Sequence, residues 1–327
     1  MSKKKTNGFL DALVGFVGDA ICVVLARGGE RQGTSSRAKG CRGEGACVRR
    51  IRPVGVQPAR AAGPADLVRR MEKALGMEAD GDAAVAEALA QRGARLLRSS
   101  PVTRDDEGLL RVAGMIVRDW PQAQRLVRTV TVRVSQQGRG GSIPAEAGRS
   151  GADWQLARAC ERAGLLPRVG YRREDGCIWF RCPATPLARA FFQGGWLELY
   201  AWLAVRTVLP SVPVLHRAQV AFGDGADART VELDLCAVLP QGRLLWVEAK
   251  SGRQYAERLE RYRRLARRIC SRPGDLAVLL TSAEDLDDPL VRMRGRQAGM
   301  EMVDVLGFAD WLRGRDEACA AEPARPA

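Results

Sequence analysis

Between residues 193 and 314 the spacing of apolar residues switches repeatedly between helical and extended periods. Trp196, Leu199, Tyr200, Leu203 and Ala204 recur at three and four, so residues 196–208 are predicted to form a helix, with Glu198 near its first turn. Residues 214–220 read as a strand. Residues 231–238 and 244–250 are two β-rich segments separated by Pro240-Gln241-Gly242-Arg243, the signature of a hairpin. A helix over 254–272 follows, with Tyr255, Leu259, Tyr262, Leu265 and Ile269 as its buried stripe. Residues 276–281 then predict a strand, 289–298 a helix, 300–305 a strand and 308–312 a short closing helix. Strands alternating with helices imply an α/β fold: a mixed sheet flanked by helices and buried on both faces.

Upstream the pattern is looser. Residues 9–26 place Leu10, Leu13, Val14, Val17, Ile21, Val24 and Leu25 on one helical stripe, but Asp19 near the middle would cost about 2.5–3.5 kcal/mol on insertion into a bilayer. An amphipathic helix packed on protein fits better than membrane association. Residues 27–65 are rich in glycine, proline and arginine and read as a linker. From 65 to about 134, Leu67, Met71 and Leu75, then Val85, Leu89, Leu96 and Leu97, then Leu109, Val112, Ile116 and Trp120 carry helical spacing. After a glycine-rich break at 136–151, a short helix at Trp154–Cys160 precedes a hairpin, 165–171 and 177–182, around Arg173-Glu174-Asp175-Gly176. Helix plus hairpin outlines a winged-helix-like module. The expected organisation is therefore 1–64 amphipathic helix and linker, 65–148 helical domain, 149–192 winged-helix-like module, 193–314 α/β domain, and 315–327 frayed tail.

Charge narrows the partners. The 327 residues carry a formal charge of +14, which suits a polyanion such as nucleic acid, and the first 60 hold 12 Lys or Arg against 4 Asp or Glu. Arginine dominates the basic residues, and Lys250 is the only lysine in the second half of the chain. Nine cysteines without a CxxC pair and a single histidine, His216, exclude a disulfide framework and a zinc ribbon, and make the reducing cytoplasm the default location. His216 lies in an apolar run, where a strand histidine is the plain reading and a Ser–His or Cys–His pair is not favoured.

The chemistry sits in the hairpin. Side chains alternate across a strand, so Glu232 and Asp234 share one face, and Glu248 and Lys250 share one face of the next segment. Leu233, Leu235, Val247 and Ala249 between them are apolar. Carboxylates gathered beside a core call for positive charge, and oxygen ligands suit Mg²⁺ or Mn²⁺, while an adjacent ammonium can orient or activate a water for attack on phosphorus. Asp234, Glu248 and Glu198 are the expected metal residues. An edge hairpin also displays alternating charges merely to discourage aggregation, but the order of helical Glu198, Asp234 in an apolar strand, a tight turn and Glu248-Ala249-Lys250 is more specific than the tripeptide. Beyond it, Arg253, Arg258, Arg261, Arg264 and Arg268, with Arg263, Arg267 and Arg272, make the following helix cationic and suited to phosphate oxygens of DNA or RNA.

This order of Glu198, Asp234 and Glu248-Ala249-Lys250 resembles the PD-(D/E)xK nuclease superfamily, whose core is a restriction-endonuclease-like mixed sheet. Phe191-Phe192-Gln193-Gly194-Gly195-Trp196-Leu197-Glu198, Glu232-Leu233-Asp234 and Val247-Glu248-Ala249-Lys250-Ser251-Gly252 are similar to the nuclease domain of the CRISPR-associated CARF nucleases. The resemblance covers roughly residues 150–314. It implies that Asp234 and Glu248 hold the metal, that Lys250 positions the nucleophilic water, that Glu198 completes the site, and that prokaryotic defence is one setting. Ala249 stands where those relatives usually have cysteine, and nothing in residues 1–150 resembles their ligand-sensing domain, so activation by a cyclic nucleotide does not carry over. The expectation is a metal-dependent endonuclease, compatible with a homodimer. The competing expectation is a nucleic-acid-binding protein with a catalytically idle nuclease fold.

Overall fold

The computed structural model describes residues 81–183, 185–223, 229–251, 258–282, 286 and 289–321. The expected N-terminal amphipathic helix, the linker after it and Arg253 lie outside the described residues.

Nine strands and nine α-helices are described: α1 (Gly81–Ala90), β1 (Ala94–Arg98), α2 (Glu107–Arg118), α3 (Trp120–Ser135), β2 (Gly140–Pro144), α4 (Ala152–Arg162), β3 (Val169–Arg172), β4 (Cys177–Arg181), α5 (Pro186–Ala190), α6 (Trp196–Val208), β5 (Val214–Phe222), β6 (Arg229–Leu239), β7 (Arg243–Lys250), α7 (Leu259–Ile269), β8 (Leu276–Thr281), α8 (Pro289–Gln297), β9 (Glu301–Asp304) and α9 (Phe308–Ala321). Six strands form one mixed sheet in the order β1-β5-β6-β7-β8-β9. It is antiparallel from β1 through β7, and β7-β8-β9 are parallel. The expected α/β architecture, a mixed sheet flanked by helices, is present.

Both faces of that sheet are covered. On one side Leu235, Val247, Val278 and Leu280 pack into a cluster built by α2, α3, α4, α6 and α9. On the other, Leu215, Val220, Trp246 and Leu279 meet Val85 and Leu89 of α1 and Tyr262, Ala266 and Ile269 of α7. Burial on two sides explains the nearly continuous apolar runs of β7 and β8. Helix α6 is apolar around most of its circumference because it is enclosed, with Trp196, Leu197, Leu199, Ala201, Trp202, Leu203, Ala204 and Val205 all buried.

Three elements differ from the sequence expectation. Residues 94–98, read as helical, form β1, the edge strand pairing antiparallel with β5 through Ala94↔Phe222 and Leu96↔Val220. Within the glycine-rich break lies β2, which pairs with β4 and completes a three-stranded antiparallel sheet in the order β2-β4-β3. Its inner face, Ile143, Ile178 and Phe180, joins the same apolar cluster as α6. Finally, α9 continues well past Leu312, to Ala321, tied to β9 by Trp311 donating to Glu301 at 2.8 Å and by an Arg315–Glu301 ion pair. Among the described residues no helix is long and apolar enough to cross a membrane.

Candidate active site

The β6–β7 hairpin turns through Gln241 and Gly242, both with positive φ (65° and 71°), and its ladder runs from Leu239↔Arg243 to Leu235↔Val247. At Asp234 a side chain takes over from the backbone: the Ala249 amide donates to Asp234 Oδ2 at 2.8 Å. Side-chain alternation also breaks there. Leu233 and Cys236 point into the α7 layer, whereas Leu235 points into the α6 layer. Strand β5 breaks in the same place, with Leu215 and Ala218 both on the α7 side. The cause in β5 is Arg217, at φ 49°. The pairs His216↔Leu235 and Ala218↔Leu233 flank this point, so Arg217 and Asp234 are opposed where the sheet is locally deformed.

Lys250 draws the acids together. Its Nζ lies 3.1 Å from Asp234 Oδ2 and 2.8 Å from Glu248 Oε1, and donates to the Ala249 carbonyl at 2.9 Å. Three acceptors match the three donors of an ammonium. Asp234 and Glu248 are 8% and 7% exposed. Burial raises both carboxyl pKa values; for Glu248 the charge of Asp234 adds to burial and Lys250 opposes it, leaving a value of about 7. Burial alone would lower the Lys250 pKa, but Asp234 and Glu248 outweigh it and hold the ammonium protonated. The expected cluster of Asp234, Glu248 and Lys250 therefore forms.

Glu198, in the first turn of α6, lines the same site but is held separately. Arg217 Nε donates to Glu198 Oε2 at 2.6 Å, and His216 Nε2 is 3.7 Å from the same oxygen. Burial would raise the Glu198 pKa, yet Arg217 outweighs it and keeps the group ionised. Glu232 is coupled to the same charges; burial raises its pKa, and Arg217 works against that. Among the described residues no group of three or more His, Cys, Asp or Glu side chains is gathered closely enough to hold a metal. The anticipated convergence of three acids thus becomes two acids on Lys250, with Glu198 beside them on Arg217. Two carboxylates still fit Mg²⁺, which binds through one or two of them together with waters and substrate phosphates.

Sequence reasoning missed Arg217 as a partner of Glu198. An arginine inside a strand whose neighbours Leu215, Ala218 and Val220 are all buried was the signal that could have found it. It also placed Tyr262 only in the core. That residue is buried, and its phenol pKa is pushed up to about 12 by burial and then by the charge of Glu248, which puts it beside the site.

Helix α7 displays its cations outward. Arg258, Arg261, Arg264, Arg267 and Arg268 are exposed, while Tyr262, Ala266 and Ile269 face the sheet. Among the described residues, several of the basic side chains have protein partners: Arg268 lies over the Phe222 ring at 4.3 Å, Arg263 pairs with Glu260 at 3.7 Å, and Arg272 donates to Gln91 at 2.7 Å.

No protein-family model matches this sequence, and no curated protein matches it. Among solved structures the chain is similar to protein VC1899 from Vibrio cholerae, with 19% identity, a TM-score of 0.46 and coverage of 72% of this chain and 60% of that one. It is also similar to Can2 from Sulfobacillus thermosulfidooxidans in complex with cyclic tetra-adenylate, with 14% identity, a TM-score of 0.48 and coverage of 71% of this chain and 60% of that one. The chain thus matches about three fifths of the length of each of these two structures.

Proposed function

We propose that this protein is a metal-dependent nuclease that hydrolyses phosphodiester bonds of DNA or RNA. The observation that carries the reading is the position of Lys250 Nζ, within 3.1 Å of Asp234 and 2.8 Å of Glu248 at the point where β6 parts from β7. A structural charge pair needs one acid per base; a lysine between two buried acids is a site with charge in reserve. Asp234 and Glu248 would hold Mg²⁺ or Mn²⁺, which supplies Lewis acidity at the phosphate oxygens. Lys250 would orient the attacking water, whose oxygen bonds to phosphorus as the P–O bond to the leaving oxygen breaks; the water's proton passes to solvent, the leaving oxygen takes one up from it, and the ammonium balances charge accumulating on the phosphate. Glu198, kept ionised by Arg217, adds negative charge at the edge of the pair, where it would hold a water on the metal rather than ligate it directly. Arg258, Arg261 and Arg264 on the outside of α7 track the sugar–phosphate backbone.

A second reading, a nucleic-acid-binding protein with an idle nuclease fold, is favoured by the saturation of Lys250, whose three donors all have acceptors within the protein. Incubating the purified protein with plasmid, single-stranded DNA and RNA in Mg²⁺, Mn²⁺ or chelator separates the two. The nuclease reading expects product only with metal, and none from Asp234→Ala or Lys250→Ala. Salt-sensitive binding with no product in Mn²⁺ supports the idle fold.

A further inference from the structure

The sheet β2-β4-β3 turns one face into the core and leaves the other outside. Trp179 pairs with Ser142 on one side and Gly170 on the other, opposite in phase to the buried Ile178 and Phe180. It belongs to neither apolar cluster of the described residues. A Cβ on Gly170 would stand 2.3 Å from the indole Cε2, so the ring crosses directly over the backbone of β3, and only glycine admits it. Trp179 is partly exposed, and its two register partners, Ser142 and Gly170, are small. The guanidinium of Arg168 lies over the indole at 5.5 Å. Exposed Arg172 and Arg181 share the face, because their register partners are Cys177 and Gly140. Asp175, in the turn between β3 and β4, pairs with Arg172 at 2.7 Å.

We propose that this face is a stacking platform for single-stranded nucleic acid, separate from the Asp234–Glu248–Lys250 site. A base stacks against Trp179 beside Arg168, and Arg172 and Arg181 meet the flanking phosphates. The indole selects a single strand because the faces of bases in a duplex are already stacked on one another. Charge complementarity selects a polyanion over the N-terminal part of this same chain, whose first 60 residues hold 12 basic against 4 acidic side chains. Binding here does not depend on the nuclease reading.

The test uses the full chain in chelator, so that no cleavage intervenes, and follows the fluorescence anisotropy of a labelled mixed-sequence oligonucleotide, single-stranded or annealed to its complement. Trp179→Ala is expected to weaken single-strand binding about tenfold, the loss of one stacked base, with duplex binding unchanged; Trp179→Phe keeps most of the affinity. Equal losses on single strand and duplex, or no loss on either, overturn the proposal. Arg181→Glu, a change at an exposed side chain, decides the matter if Trp179→Ala does not fold: it is expected to weaken single-strand binding and reduce its salt dependence, and unchanged affinity overturns the proposal. Cleavage by the wild type in Mn²⁺, scored separately, leaves the two readings independently testable.

Discussion

Arg217 donates to Glu198 across 2.6 Å from a backbone position, φ 49°, that a long side chain rarely adopts. Such a conformation costs roughly 1–3 kcal/mol and persists where the surroundings over-determine it. Here the surroundings are a carboxylate with 14% of its side chain exposed and an arginine with 12% exposed. Arg217→Met strips Glu198 of its counter-charge and is expected to destabilise the fold by about 3–5 kcal/mol. Adding Glu198→Gln to that variant should restore part of the loss, because the Glu198 charge is then no longer left unpaired. Denaturant unfolding of both single variants and the double variant measures the coupling; additive losses would show that the pair is not the reason for the strained backbone.

The raised pKa of Glu248 makes stability depend on pH. Its folded value is about 7 against an ordinary 4.5, so the folded protein holds this proton where the unfolded chain releases it. The associated stability is fully present below about pH 4.5 and is lost as pH rises through 7, at up to about 1.4 kcal/mol per pH unit for one proton. Asp234 shifts in the same direction, whereas Glu198 shifts the opposite way and acts only in acid. In chelator, the melting temperature should therefore fall between pH 5 and 8. Glu248→Gln should flatten the slope, and Mg²⁺ or Mn²⁺ should flatten it in the wild type by replacing the proton with a cation. A slope unchanged in Glu248→Gln would assign the proton elsewhere.

A second ion pair holds the fold together away from this site. Arg92, after α1, donates to both oxygens of Asp275 ahead of β8 and to the carbonyls of Ala88 and Gly242, and neither side chain of the pair is exposed. Asp275 also accepts from the amides of Leu244 and Arg272. Arg92→Leu removes the cation and strands the carboxylate, with an expected loss of about 3–5 kcal/mol by thermal or urea unfolding. A loss below about 1 kcal/mol would mean that the two amides suffice to hold Asp275.

These cases separate what the residues announce from what only assembly reveals. The hairpin and its acids were legible because turn chemistry, the Glu248-Ala249-Lys250 alternation and a solitary lysine all act within 20 or so residues, where local sterics dominate; the break in alternation at Asp234, which sends Leu233 and Leu235 into opposite layers, was not. Strand β1 was not: Leu89 and Leu96 stand seven apart, as on a helix, and an edge strand that leaves Leu97 43% exposed shows little alternation. Strand β2 looked like a linker because it is Gly-Gly-Ser-Ile-Pro, but its glycines serve close packing. A Cβ on Gly140 would meet the Phe180 carbonyl at 2.4 Å, and one on Gly141 the Phe180 ring at 2.9 Å. Arg92 and Asp275 are 183 positions apart, and no local rule joins them. Arg217 was hidden for a different reason: regular alternation does not anticipate a positive φ, and that one dihedral is what delivers its side chain to Glu198.

The outer face of α7 offers the last prediction. Its apolar stripe, Tyr262, Ala266 and Ile269, already accounts for the helix packing, so Arg261 and Arg264 contribute nothing to the core and stay exposed. Reversing both to glutamate should leave thermal stability within about 0.5 kcal/mol of wild type, as for other surface changes. Binding should change instead. Each phosphate that is no longer neutralised lowers the slope of log K against log salt by about 0.7 on single strands and 0.9 on duplex, so the double reversal should weaken binding most at low salt and least at high salt. Arg268→Glu is the informative contrast. Its guanidinium rests on Phe222 at 4.3 Å, so that substitution should cost stability of roughly 0.5–1 kcal/mol along with affinity. Titrations across a salt series, paired with melts of the same variants, read both quantities; an unchanged salt slope for the Arg261 and Arg264 reversal would remove this helix from the nucleic-acid path.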